Sequence, residues 1–219
     1  EDIFSEPLRV FMDGARKDGG LSPLGEVTIW SQIVQFLEAR LLIEDQWKRY
    51  PEIAKEKIDR PIIIVGLPRT GTTHLHNLIS ADPAIRYLSW WESLEPVPPL
   101  AEQEGDFDVD PRWQRAADGI EMRDKMMPLF KRMHDMWPDH AHEEVHLLAI
   151  AGSTMLFEAL AVSETWRDWY RSNDQTPWYA YMKRILQLLQ FRGGKGERWV
   201  LKSPQHLEQF APLLRTFPD

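Results

Sequence analysis

Pro61-Ile62-Ile63-Ile64-Val65 runs directly into Gly66-Leu67-Pro68-Arg69-Thr70-Gly71-Thr72-Thr73 and then into His74-Leu75-His76-Asn77-Leu78-Ile79. A short apolar run, a glycine bend and a helix-like stretch predict strand, loop and helix in that order. Loop amides and the first helical turn then point N–H groups at one place, and the helix dipole favours negative charge there. The stretch therefore predicts an α/β fold with an anion cradle after its first strand. Its departure from the nucleotide-hydrolase pattern G-x-x-x-x-G-K-[ST] is informative, because Thr72 stands where the lysine belongs. With no ammonium to reach β- and γ-phosphates, hydrolysis of ATP or GTP is not expected. Arg69 puts a cation inside the loop instead, which suits a nucleotide whose reactive group stops at the 5′-phosphate.

Toward the other end, Arg198-Trp199-Val200-Leu201 reads as a second short strand, ending at Lys202-Ser203-Pro204. The two motifs together resemble the sulfotransferases that use 3′-phosphoadenosine 5′-phosphosulfate (PAPS). That family's loop reads P-[KR]-[ST]-G-T-[TS], matched by Pro68 to Thr73 without a gap, and its K-[ST] beyond a strand is matched by Lys202-Ser203. Trp91-Glu92 and the proline-rich stretch after it resemble the bacterial-type, small-molecule branch. The resemblance covers residues 60–219 and leaves 1–59 as an N-terminal helical segment.

The resemblance implies a P-loop-type parallel sheet flanked by helices. It also implies PAPS as co-substrate, no metal, and sulfuryl transfer to a hydroxyl or amine of a small-molecule or lipid acceptor. Pro68, Arg69, Thr70, Gly71, Thr72, Thr73 and Lys202 would bind PAPS. Arg69 and Lys202 would stabilise charge on the departing phosphate, as in phosphoryl transfer. Glu92, at the end of an expected strand Tyr87–Trp91, would be the base, by likeness to the heparan-type branch. Competing for that role are Glu143, Glu144 and His206, the last lying two places later than the K-T-H histidine of the cytosolic branch. In the family a further strand brings an Arg and a Ser to the 3′-phosphate. This sequence stops at Arg215-Thr216-Phe217-Pro218-Asp219, so the expectation is a sulfotransferase domain that is incomplete.

Composition narrows the classes further. A net charge of −8 argues against nonspecific nucleic-acid binding. An anionic nucleotide must then be held by local cations. The absence of cysteine excludes disulfides, thiol nucleophiles and Cys-based zinc sites, and fits a cytoplasmic setting. The most apolar window, Val145–Val162, carries His146, Ser153, Thr154 and Glu158, so it reads as buried helix and not as a membrane span.

Along the chain, residues 1–25 read as irregular with a short helix, and helices are expected over Val27–Tyr50, Pro111–Met133, Glu143–Ala161, Pro177–Phe191 and Gln205–Thr216. Gly193-Gly194-Lys195-Gly196 reads as a turn. His74 and His76 read as packing or surface residues of the cradle helix, and Trp90, Trp91 and Trp137 as candidates to line an apolar acceptor pocket. Two rivals come from other classes. His142-Glu143-Glu144-Val145-His146 matches H-E-x-x-H, which on a helix makes a zinc-peptidase site. A P-loop kinase that has lost its lysine would need Glu92 as an acidic metal ligand and would turn over ATP with magnesium.

Overall fold

Three short parallel strands carry the cradle. In the computed structural model, which describes residues 3–193 and 196–219, β1 (Ile62–Ile64) and β2 (Ile85–Tyr87) both pair with β3 (Arg198–Lys202). The order is β1-β3-β2, with Ile64 opposite Lys202 and Tyr87 opposite Val200. Central β3 is buried from Trp199 to Lys202, as a strand covered on both faces must be. Gly194 and Lys195 of the expected turn lie outside the described residues.

Helices supply the cover. Ahead of the sheet lie α1 (Ser5–Asp18) and the 27-residue α2 (Pro23–Arg49). Ser22 caps α2 by accepting the Gly25 N–H at 3.1 Å, and Pro23 occupies the first turn, where its missing N–H costs nothing. These signals start the helix four residues earlier than the apolar spacing alone indicates, and α1 replaces the irregular stretch expected there. Next come α3 (Thr72–Ser80), α4 (Trp90–Leu94) and α5 (Pro111–Met126). The chain continues through α6 (Val145–Ala151), α7 (Leu156–Leu160), α8 (Glu164–Ser172) and α9 (Thr176–Phe191). After β3 it ends in α10 (Gln205–Glu208) and α11 (Phe210–Thr216).

The core lies around α6, every residue of which is buried between α2 and α9. Ile29, Ile33, Phe36 and Ile43 of α2 meet it from one side, and Tyr179, Met182, Ile185 and Leu186 of α9 from the other. Each such side chain contributes roughly 1.5–3 kcal/mol by leaving water. A second packing centre joins α1 to α8, with Phe11 stacked on Phe157 at 4.4 Å and edge-on to Trp166 at 5.9 Å.

Two expected elements differ in form. The helix expected over Glu143–Ala161 breaks at Gly152, which takes φ 112°, a left-handed conformation natural to glycine. The break turns two buried hydroxyls back onto the fold: Ser153 donates to Gln175 at 2.7 Å and Thr154 to the Val145 carbonyl at 2.9 Å. The strand expected over Tyr87–Trp91 ends at Tyr87, and Trp90–Leu94 is helical. Its cause is a reciprocal cap, Ser89-x-x-Glu92, in which the Ser89 hydroxyl and N–H both donate to the Glu92 carboxylate.

Candidate active site

The glycine bend is open to solvent. Leu67 through Gly71 are all exposed, between the end of β1 and the start of α3. Gly71 caps α3 at φ 89°, and a Cβ there would meet nothing within 4 Å, so glycine is needed for its backbone angle and not for space. Gly66 is needed for space, because a Cβ would lie 2.7 Å from Thr72 Cγ2 where the loop folds back on its own helix. Arg69 also takes a left-handed angle, φ 67°, and Thr70 closes the bend by donating to the Leu67 carbonyl at 2.6 Å. A non-glycine residue in that region stores strain of order 1–3 kcal/mol, which here turns the loop.

Lys202 reaches this bend from the end of β3. Its side chain is almost wholly buried, its Nζ lies 3.3 Å from Thr73 Oγ1, and it forms an ion pair with Glu143. The parallel pairing of β1 with β3 explains the meeting, since Ile64 and Lys202 lie side by side where both strands leave the sheet. Arg69 approaches from the rim, its guanidinium donating to the Met133 carbonyl at 2.9 Å. His134, next in sequence, is half-buried. Burial lowers its pKa, the Glu143 charge opposes that, and the Lys202 and Arg69 charges add to it. Arg69, Thr73, Lys202, Glu143 and His134 thus share one electrostatic neighbourhood. Pro68, Thr70, Gly71 and Thr72 form the loop and helix start around it.

Behind Lys202 sits a buried polar chain. Glu144 is fully buried, accepts the Lys202 backbone N–H at 2.9 Å and faces His206 Nε2 at 3.3 Å. His206 Nδ1 contacts the Tyr179 hydroxyl at 2.9 Å. Burial alone would push the Glu144 carboxyl up, but the His206 hydrogen bond, the His206 and His76 charges and the Lys202 N–H outweigh it and hold it low. This chain locks the end of β3. His206 is therefore a buried support and does not face the open bend.

Glu92 is elsewhere engaged. Besides closing the α4 cap, it pairs with Arg86 at 2.6 Å, and both side chains are mostly buried. The expectation that it ends a strand is corrected: the cap places it in the first turn of a helix. The H-E-x-x-H reading is corrected as well. His142 precedes α6, so the motif does not lie on one helical face, and His142 Nε2 contacts His146 Nδ1 at 3.1 Å. Its two carboxylates are committed to Lys202 and to the buried chain. Among the described residues no group of three or more His, Asp or Glu is placed to hold a metal.

The tryptophans divide. Trp90 stands edge-on to His142 and His146, at 4.5 and 5.0 Å, and with His146 lines a cavity of about 410 Å³ between α2 and α5. Trp91 is stacked under Arg112 at 4.6 Å with its Nε1 on Asp139, whereas Trp137 is exposed. Of the residues around Lys202, sequence reasoning named Glu143 and Glu144 among the candidates for the base and did not single out His134.

Comparison with known proteins agrees with this architecture. Residues 61–219 match the family model described as "Sulfotransferase family". Sulfotransferase STF1 from Mycobacterium tuberculosis superimposes with a TM-score of 0.82 at 35% identity, over 98% of this chain and 58% of that one. Sulfotransferase STF9 from Mycobacterium avium gives 0.81 at 25% identity, over 100% and 55%. The chain thus spans little more than half the length of either. Among curated protein sequences none matches. No helix among the described residues is long and apolar enough to cross a membrane. With the family model covering β1, the glycine bend and β3, the chain belongs to the sulfotransferase family.

Proposed function

We propose that this chain binds PAPS and transfers its sulfuryl group to a hydroxyl or amine of a small-molecule or lipid acceptor. The observation that carries this reading is the meeting of Lys202 with Thr73, which brings a buried ammonium to the mouth of an anion cradle. The residues suit a 5′-phosphosulfate. The exposed bend offers backbone N–H groups, shaped by Thr70 through its bond to the Leu67 carbonyl, while Thr72 and Thr73 offer hydroxyls and Arg69 and Lys202 two cations. When bound, PAPS supplies a sulfuryl group activated by a phosphate leaving group. Lys202 and Arg69 oppose the negative charge that grows on that phosphate. Glu143, beside Lys202, takes the acceptor's proton, a role we give to it in place of Glu92. We place the activity in the cytoplasm, which a chain without cysteine fits.

Two substitutions test the base. Glu143→Gln should lower transfer of labelled sulfate from PAPS by about 10²-fold, the low end for a general base. Affinity for adenosine 3′,5′-bisphosphate should change only a few-fold. Glu92→Gln should instead weaken the α4 cap and strand Arg86 without its partner. That costs about 1–3 kcal/mol of stability with turnover retained in the folded fraction. The reverse pattern would restore Glu92 as the base.

A further inference from the structure

The turn Lys202-Ser203-Pro204-Gln205-His206 after β3 has both of its ends on one buried carboxylate. Glu144 accepts the Lys202 backbone N–H with Oε1 at 2.9 Å and faces His206 Nε2 with Oε2 at 3.3 Å. An ionised carboxylate only accepts, so Nε2 must carry a proton toward it, and the Tyr179 hydroxyl fixes the other ring nitrogen at 2.9 Å. Glu144, His206 and Tyr179 have no exposed surface, and they come from the residue before α6, from α10 and from α9. From α3, the wholly buried His76 ring feels the charges of both Glu144 and Lys202.

Stability alone does not call for such a chain. Burying a carboxylate commonly costs more than its partners return, and apolar side chains of the same volume would hold these elements together at least as well. Hydrogen bonds add a fixed place, which apolar contacts do not. The place fixed here is that of Lys202. Glu143, the neighbour of Glu144, pairs with the Lys202 ammonium, so two consecutive carboxylates hold one lysine by its backbone and by its head. The helix that follows them, α6, is buried throughout and gives the pair a firm mount. We propose that Glu144 is a positioning residue of the nucleotide site: it acts through Lys202, holding that backbone where the ammonium meets the cradle, and His206 and Tyr179 hold Glu144 in turn. The nucleotide rests on the PAPS reading above, whereas the anchor is a property of the fold itself.

Calorimetric titration of the chain with adenosine 3′,5′-bisphosphate tests this without an acceptor. Glu144→Ala should weaken binding about tenfold, the worth of one charge-assisted hydrogen bond that Lys202 no longer makes in place. In a Lys202→Met background the same change should cost less than about twofold, because residues that act as one unit are not additive. Glu144→Gln keeps an oxygen for the Lys202 N–H and an amide to face His206, so it should recover most of the loss. Tyr179→Phe removes one buried hydroxyl and keeps the ring. It should weaken binding about threefold, again only where Lys202 is present, and it carries the test if Glu144→Ala does not fold. A spectroscopic signature accompanies these numbers. In a chain labelled with ¹⁵N-lysine, the amide signal that Lys202→Met abolishes should exchange slowly with solvent in the wild type and in Glu144→Gln, and faster in Glu144→Ala. Equal losses of affinity in the two backgrounds, or an amide indifferent to Glu144, would overturn the positioning role while bisphosphate binding by the wild type stands. A wild type that binds no bisphosphate would instead remove the PAPS reading, and with it the site that Glu144 serves.

Discussion

Lys202→Met is expected to reduce sulfuryl transfer by about 10³-fold, measured as release of adenosine 3′,5′-bisphosphate from PAPS in the presence of a lipid extract as acceptor pool. The size follows from position. The Lys202 side chain is almost wholly buried, yet its ammonium stands at the mouth of the bend beside Thr73. A preorganised charge in such a place is worth about 10²–10³ in rate, and the upper end applies where little water competes. Methionine keeps the length and apolar stem, so β3 should still pack. Its backbone N–H still reaches Glu144, and Glu143 retains enough exposure to be hydrated when it loses its partner. Arg69→Ala should cost less, because its guanidinium is exposed and, among the described residues, held through the Met133 carbonyl. If Lys202→Met turned over within tenfold of the wild type while remaining folded, the ammonium would have no part in the reaction.

Acid should unfold this chain well above the usual carboxylate range. Burial holds His76, His140 and His146 down to about 4, from an ordinary value of 6.5, and holds His142 well below 6.5. The sign follows from proton counting. Between pH 6.5 and 4 the unfolded chain binds protons that these folded imidazoles refuse, so stability falls as pH falls. Each group removes about 1.4 kcal/mol per pH unit in that window, so three remove roughly 4 kcal/mol per unit. By pH 5 that is roughly 6 kcal/mol and by pH 4 roughly 10 kcal/mol, against an ordinary domain stability of about 5–15 kcal/mol. Glu144 adds in the same direction only lower down: its carboxyl is held below 4.5, so its contribution is complete above 4.5 and lost beneath that. Far-ultraviolet circular dichroism across pH 7 to 3.5 should show one steep transition, and His140→Gln should make it shallower. A urea-unfolding midpoint that stays constant between pH 6.5 and 4.5 would contradict the burial of these rings in neutral form.

The sequence made the cradle readable because its signals are local. Pro61–Thr73 contains the strand, the bend and the helix start in one uninterrupted run, and its glycines answer to one backbone angle and one close approach. Lys202 was readable for the same reason, as the end of a short β-branched and aromatic strand. Glu143 was legible only as one candidate among several, because its ion pair with Lys202 spans 59 positions and depends on the β1–β3 pairing and the placement of α6. The misplacement of Glu92 has a different origin. Leu88-Ser89-Trp90-Trp91 is too short for periodicity to separate strand from helix, and the capping exchange between Ser89 and Glu92 decides it. Gly152 likewise breaks an apolar run that composition alone leaves continuous.

Calorimetric titration of the chain with adenosine 3′,5′-bisphosphate, beside ATP with and without magnesium, tests the account most directly. The bisphosphate should bind at least tenfold more tightly than ATP, magnesium should make no difference, and Lys202→Met should remove that preference. ATP binding that matches the bisphosphate and depends on magnesium would mean that the bend after β1 serves a different nucleotide chemistry.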